Sequence, residues 1–372
     1  MITTPTKRLR EIDFLRGMAI ILVLLRHKYL FPFTTNMGWI GVDLFFTLSG
    51  FLVSGLLFKE YLRFGDIHPK RFLIRRGFKI YPIYYLFYAF YLIPIFLADN
   101  FSLKGFLSDM LFVQNYVIGW GYAYPASWSL AVEEHFYVGL SLILWWGIKY
   151  KTTNRMHYEK QIKRGLTAER ILCSILCTCL ILRLASNLMF PDQDARHTTM
   201  THLRMDSLIA GVFISYLYYF KRAKLVSVFY TYKKRLFALA GIGLIWTPFI
   251  DPIPSFFVKT IGFTLLYVSF GIILIYFITT PRVNEHINRI FGSVTVDLIS
   301  KIGYCSYSIY VIHTLANYLS YEVYSNLNIA YNHYIDFLLA TSASVICGML
   351  MTYYVEDYFL KIRNRYFPSR VQ

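Results

Sequence analysis

The chain has 372 residues, of which 56% are hydrophobic and 19% aromatic, with only 16% charged and a formal net charge of +17. That is more apolar surface than one soluble core hides, so lipid is the expected solvent for the surplus. The basic excess does not fit a nucleic-acid surface, because the Lys and Arg residues stand in blocks between apolar runs.

The first apolar run has no small-residue cleavage site and continues into a hydrophobic protein, so it reads as the first span and not as a cleaved signal. Apolar stretches near twenty residues, bounded by charge or by Pro, Gly and Asn, follow at 10–30, 40–58, 79–98, 131–149 and 170–190. A second set lies at 203–220, 236–250, 258–279, 302–320 and 335–355. The stretch 105–130 is apolar but broken by Gly119, Gly121 and Pro125, and is expected to be exterior or re-entrant. Cys173, Cys177, Cys179, Cys305 and Cys347 all fall in or beside apolar segments and read as packing residues with free thiols.

Alternate loops of a ten-span chain lie on one side, where basic residues should collect. With both termini inside, 30 of the 38 Lys and Arg residues fall on the cytoplasmic side, and the exterior loop 191–202 carries Asp192 and Asp194. The expected fold class is therefore an all-α membrane protein of about ten transmembrane helices with cytoplasmic N and C termini. Residues 1–365 form a single transmembrane domain and 366–372 a short cytoplasmic tail, with no additional soluble domain. The expected location is the cell membrane.

An ionisable side chain at the bilayer centre costs at least about 2.5–3.5 kcal/mol on insertion scales, so each one in a span needs a partner or a use. Arg16 and His27 lie eleven residues apart in the first span, close to three full turns, and so share a helix face. Arg16 then sits near the cytoplasmic surface and His27 in the outer half. Taken singly, Arg16 also fits a snorkelling anchor and His27 a neutral imidazole bonded to a neighbouring helix. Asp43 opens the second span level with His27, where it either orients the imidazole or caps its own helix.

Arg71, Arg75, Arg76 and Lys79 precede the third span at spacings that cluster them on a helix. Such a cluster suits a polyanion such as a phosphorylated cofactor, and equally a positive-inside signal that binds anionic lipid. Glu133, Glu134 and His135 open the fourth span behind Ser129, His202 and Asp206 share a face at four-residue spacing, and Tyr310 and His313 lie within the ninth. The polar set splits into an inner cationic group and an outer group of His, Asp and Glu, the layout of a site reached from both sides.

These residues stand in stretches that resemble the acyltransferase-3 family of multi-span membrane acyltransferases, from about residue 9 to residue 363. "IDFLRGMAIILVLLRH" looks like the family's arginine, ten residues, histidine signature, "GVDLFFTLSGFLVSG" is close to its second-span motif, and "RRGFKIYP" resembles its basic motif. "SWSLAVEEHFY", "THLRMDSLIAG", "SYSIYVIH" and "VEDYFL" follow in the family's order. Lys79 stands where the family usually has arginine, which keeps the charge and loses a bidentate fork. His135 replaces a usual glutamine, and Asp357-Tyr358 replaces a common basic residue and proline.

The resemblance implies transfer of an acyl group, commonly acetyl from acetyl-CoA, to a hydroxyl on an extracytoplasmic carbohydrate or glycolipid, with the lipid bilayer as surroundings and no metal. On that expectation Arg16, Arg76 and Lys79 hold the acyl-CoA phosphates. His27 is the base, Asp43 or Glu133 is its orienting acid, and Ser129, Glu134, Tyr310 and His313 contact the acceptor or the developing oxyanion. A transporter would show repeated halves with interrupted helices, which the sequence lacks; a non-catalytic receptor would tolerate loss of His27. The sequence sets neither the acceptor nor the oligomeric state.

Overall fold

The structure is a computed structural model that describes residues 9–153, 168–327 and 330–371. Lys7, Arg8 and most of the expected inside loop 150–169 lie outside the described residues. Among the described residues there is no strand, and the architecture is helical throughout. The long helices are α1 (Arg10–His27), α2 (Gly41–Phe64), α3 (Pro69–Leu97), α4 (Trp128–Thr153), α5 (Ala168–Met189) and α6 (Asp206–Phe220). They continue with α7 (Arg222–Ile245), α8 (Phe263–Thr279), α9 (Ser293–Tyr304), α10 (Ser306–Leu327), α11 (His333–Met351) and α12 (Asp357–Tyr366).

Among the described residues, five stretches are helical, long and apolar enough to cross a bilayer: 32–64, 69–97, 168–189, 258–279 and 333–366; Asp206–Phe220 is apolar but shorter. In α5 only 22% of the apolar window is buried, so the rest of that face needs lipid. The molecule is a multi-pass membrane protein. The other expected spans are helical too, but α1, α4, α7 and α10 carry charged or hydrogen-bonding residues along their length and fall below that apolar standard.

Local chemistry sets the breaks. Pro69 opens α3 at a position where its missing N–H costs nothing, and Gly65, with φ of +72°, closes α2 in the left-handed conformation. Two π turns, Val258–Gly262 and Thr352–Glu356, lead into α8 and α12. The stretch 105–130 forms no long helix; short pieces at Leu103–Met110, Gln114–Val117 and Pro125–Ser127 are tied by the buried Asp109 carboxylate, which accepts from the backbone N–H of Tyr122 and Ala123.

α2 packs on α6 and α1 on α9, each pair meeting at glycines. A Cβ on Gly50 would overlap the Leu208 carbonyl, and one on Gly17 the Ile299 carbonyl, so these backbones approach as only small residues allow. α3 and α4 pack together, and α10 lies against α1, α3 and α11. Helices α1, α2, α3, α4 and α10 thereby surround one interior space.

Candidate active site

That interior holds a cavity of about 110 Å³. Its polar lining groups come from five packed helices: Arg16 from α1, Ser49 from α2, Arg76 and Lys79 from α3, Ser129, Glu133 and Tyr137 from α4, and Ser306, Tyr307 and Tyr310 from α10. Six of the ten residues singled out from the sequence therefore face one space: Arg16, Arg76, Lys79, Ser129, Glu133 and Tyr310.

Within the cavity the polar groups form two sets. At one side Tyr137 Oη donates to Glu133 Oε2 at 2.5 Å, so the Ser49 hydroxyl at 3.1 Å donates to Tyr137. The Arg76 guanidinium lies over the Tyr137 ring at 5.6 Å. Lys79 Nζ donates to Glu356 Oε1 at 2.8 Å, and Ser308 and Thr352 continue that chain. Glu356 ends a π turn, and the extra residue in that turn re-aims the carboxylate toward α3. At the other side Ser129 Oγ and Tyr310 Oη are 2.6 Å apart, and both reach the Ala126 carbonyl.

His27 and His313 are neighbours beyond this hydroxyl pair, with ring centroids 4.8 Å apart; the Tyr310 ring is 5.4 Å from that of His313. His313 Nδ1 lies 2.5 Å from the Tyr310 carbonyl, which can only accept, so Nδ1 carries the proton. The lone pair of neutral His313 is then on Nε2, which is buried without a partner. His27 is exposed and His313 wholly buried, so of the two only His27 can meet a large acceptor directly.

Three expectations change. Asp43 does not turn to His27: Arg204 Nη2 donates to both of its oxygens at 3.0 and 3.1 Å and Ser207 to one at 3.0 Å, because a buried guanidinium outbids a neutral imidazole for a buried carboxylate. Glu134 does not line the cavity and accepts from Tyr81 Oη at 3.0 Å. His202 and Asp206 do not act together either, since the helix breaks at Met205; His202 meets Tyr116, and Asp206 takes the buried Arg183. Lys28 donates to Asp336 at 2.6 Å and Ser320 at 3.0 Å.

Ser49, Tyr137 and Glu356 were not singled out as site residues. Tyr137 stands four residues after Glu133, a same-face spacing that was available as a signal, and Glu356 lies in the last of the matching motifs.

A second cavity, of about 130 Å³, lies next to the first and shares Arg76 and Lys79 with it. Arg71, Arg75, Arg363 and Arg370 also line it, and among the described residues Glu60 is the one carboxylate in that lining. Among the described residues no group of three or more His, Cys, Asp or Glu gathers as a metal site.

Comparison with known proteins is consistent across most of the chain. The acyltransferase-3 family model, described as an acyltransferase domain, matches residues 9–354. The chain is 26% identical over 328 residues to the peptidoglycan O-acetyltransferase OatA of Listeria monocytogenes, an alignment covering 82% of this chain and 49% of that one. It is 28% identical over 232 residues to a Staphylococcus aureus protein with a provisional O-acetyltransferase name, covering 58% of this chain and 36% of that one. The chain thus spans less than half the length of these relatives. No solved structure matches it.

Proposed function

This chain belongs to the acyltransferase-3 family, and from that premise we propose that it is a membrane O-acyltransferase of the cell envelope. It takes an acyl group, acetyl first, from cytoplasmic acyl-CoA and passes it to a hydroxyl of an extracytoplasmic glycan or glycolipid. The peptidoglycan in the relative's name makes a cell-wall glycan the first acceptor to test. The proposal keeps the ten-span topology with both termini inside, which brings the cationic cavity to the cytoplasm and His27 to the outer half.

The observation that carries this reading is the pair of adjoining cavities with Arg76 and Lys79 as their common wall. A phosphorylated donor needs cations at one end and a low-polarity passage for its acyl arm at the other. The second cavity offers the cations, and the first leads from them to the Ser129 and Tyr310 hydroxyls and on toward His313 and His27.

In this reaction His27 takes the proton of the acceptor hydroxyl as its oxygen attacks the thioester carbonyl. The C–O bond forms, the C–S bond breaks, and the proton held on His27 passes to the departing CoA sulfur. The hydroxyls of Ser129 and Tyr310 donate to the oxyanion that develops on the carbonyl oxygen. His313 packs against His27 and fixes its place. Arg16, Arg76 and Lys79 hold the donor phosphates, and Glu133 sets the position of the cations that face it.

Purified protein incubated with labelled acetyl-CoA and a muropeptide acceptor should transfer label. The His27→Ala variant should fold, insert and retain CoA binding while transfer falls by roughly 10²–10⁴-fold, the usual worth of a general base. Undiminished transfer by folded His27→Ala protein would remove His27 from the chemistry.

A further inference from the structure

The second cavity has one wall that lies outside the residues matched by the family model. Arg71, Arg75 and Arg76 enter it from α3, while Arg363 and Arg370 enter it from a separate element, α12 and the residues after it. Both lie beyond residue 354, where the family match ends.

The terminal segment is fixed in place by specific contacts. Arg75 donates to the Phe367 carbonyl, and the Phe367 ring lies 5.8 Å from that of Phe78. Arg370 Nη1 donates to Glu60 Oε1 and to His68 Nδ1, both at 2.6 Å, and its guanidinium lies 4.3 Å over the Phe64 ring. The segment is thereby tied to both α2 and α3.

Charge in this space is unbalanced. Among the described residues, five guanidinium groups and Lys79 face a single lining carboxylate, Glu60, and the Lys79 ammonium already belongs to Glu356. Arg71 Nε is buried with no partner. Like charges gathered in a low-dielectric pocket repel strongly, and a ligand with several negative charges relieves that repulsion. Forked guanidinium donors converging from two walls match phosphate oxygens better than point charges do.

We propose that Arg363 and Arg370 are donor-binding residues: the terminal segment is the second wall of the site for the phosphate groups of acyl-CoA, together with Arg71, Arg75 and Arg76. This rests on acyl-CoA being the donor. Arg370 holds Glu60 in the empty site and turns from it to phosphate when the donor enters.

The test is equilibrium binding of radiolabelled CoA to the full chain in neutral detergent at fixed ionic strength. Arg363→Gln and Arg370→Gln should each weaken CoA binding by roughly tenfold, the loss of one charge-assisted contact. Neither should change binding of pantetheine, which has no phosphate. Arg365→Gln, at an exposed position outside the cavity, removes the same charge and should leave the affinity within about twofold.

Wild-type binding with unchanged affinity in both cavity variants overturns the inference and leaves the donor reading intact. An equal loss in Arg365→Gln also overturns it, as a bulk charge effect. Failure of folded wild-type protein to bind CoA would instead sink the donor reading itself. If the variants lose retained phosphatidylglycerol but not CoA, the cavity is a lipid-headgroup site and the inference fails. Should Arg370→Gln misfold, Glu60→Gln breaks the same tie while leaving Arg370 free, and CoA affinity must then hold or rise.

Discussion

Asp43 is a carboxylate with no access to water, and its two oxygens are filled by Arg204 and Ser207. Arg204 in turn lies 3.5 Å over the Phe263 ring and 5.8 Å from that of Trp128, while its Nε and Nη1 find no acceptor. Removing one partner of such a pair strands the other charge, at a cost of about 3–5 kcal/mol. Asp43→Ala is therefore expected to lower the unfolding temperature of the solubilised protein sharply, and adding Arg204→Met should recover part of the loss. A normal melting temperature with abolished transfer would instead restore Asp43 to the chemistry. The sequence could not reveal this pairing, because Arg204 lies 161 residues away and no local period links the two. The Arg16 and His27 spacing was legible for the opposite reason: both sit on one helix, whose 3.6-residue repeat is fixed by backbone geometry.

Among the elements, the short helix Asp194–Thr199 carries a titratable group with a definite sign. His197 is fully buried; its Nε2 donates to the Phe190 carbonyl at 2.7 Å, and its Nδ1 therefore accepts from Ser186 at 3.3 Å. Burial holds its pKa below the ordinary 6.5; Lys259 and Arg196 act in the same direction, and the Phe190 carbonyl and Asp194 oppose it. The opened segment takes up a proton near 6.5 while the closed one refuses it. Its stability is thus present above that value and is lost as pH falls toward the lower folded value, by at most about 1.4 kcal/mol per pH unit. Amide exchange over 190–200, corrected for the intrinsic rate, should accelerate between about pH 7 and pH 5, and His197→Gln should flatten the response. A flat wild-type profile would contradict the burial argument. Hydropathy located the elements well where a span is long and uniformly apolar, as in α3, α5 and 258–279. It could not show the π turn Thr352–Glu356, whose irregularity comes from packing against α3 and α10 and not from composition.

For the whole molecule, the charge asymmetry of the loops makes a claim about sidedness that the cavities sharpen. If the cationic cavity is the donor's, it must open to the cytoplasm, and a tag at either terminus should be shielded from an impermeant reagent in intact cells. Labelling of either tag from outside would reverse the molecule and with it the assignment of donor and acceptor sides. Most of the candidate site was legible in the sequence, since six of its residues stand in stretches whose order resembles the family's. What stayed hidden were contacts closed by the tertiary fold, such as Lys79 with Glu356 and Arg370 with Glu60.

The Lys79 and Glu356 ion pair joins residues 277 positions apart, in a site that also draws Arg16 from the first helix. Spans leave the ribosome in order, so every fragment that stops short of Glu356 leaves Lys79 without its counter-ion and the second cavity without the side that Arg363 and Arg370 supply. On the proposed function, synthesis itself then acts as a safeguard: a chain halted partway has only part of the grip on an activated acyl donor, and the site is whole only when α12 is in place.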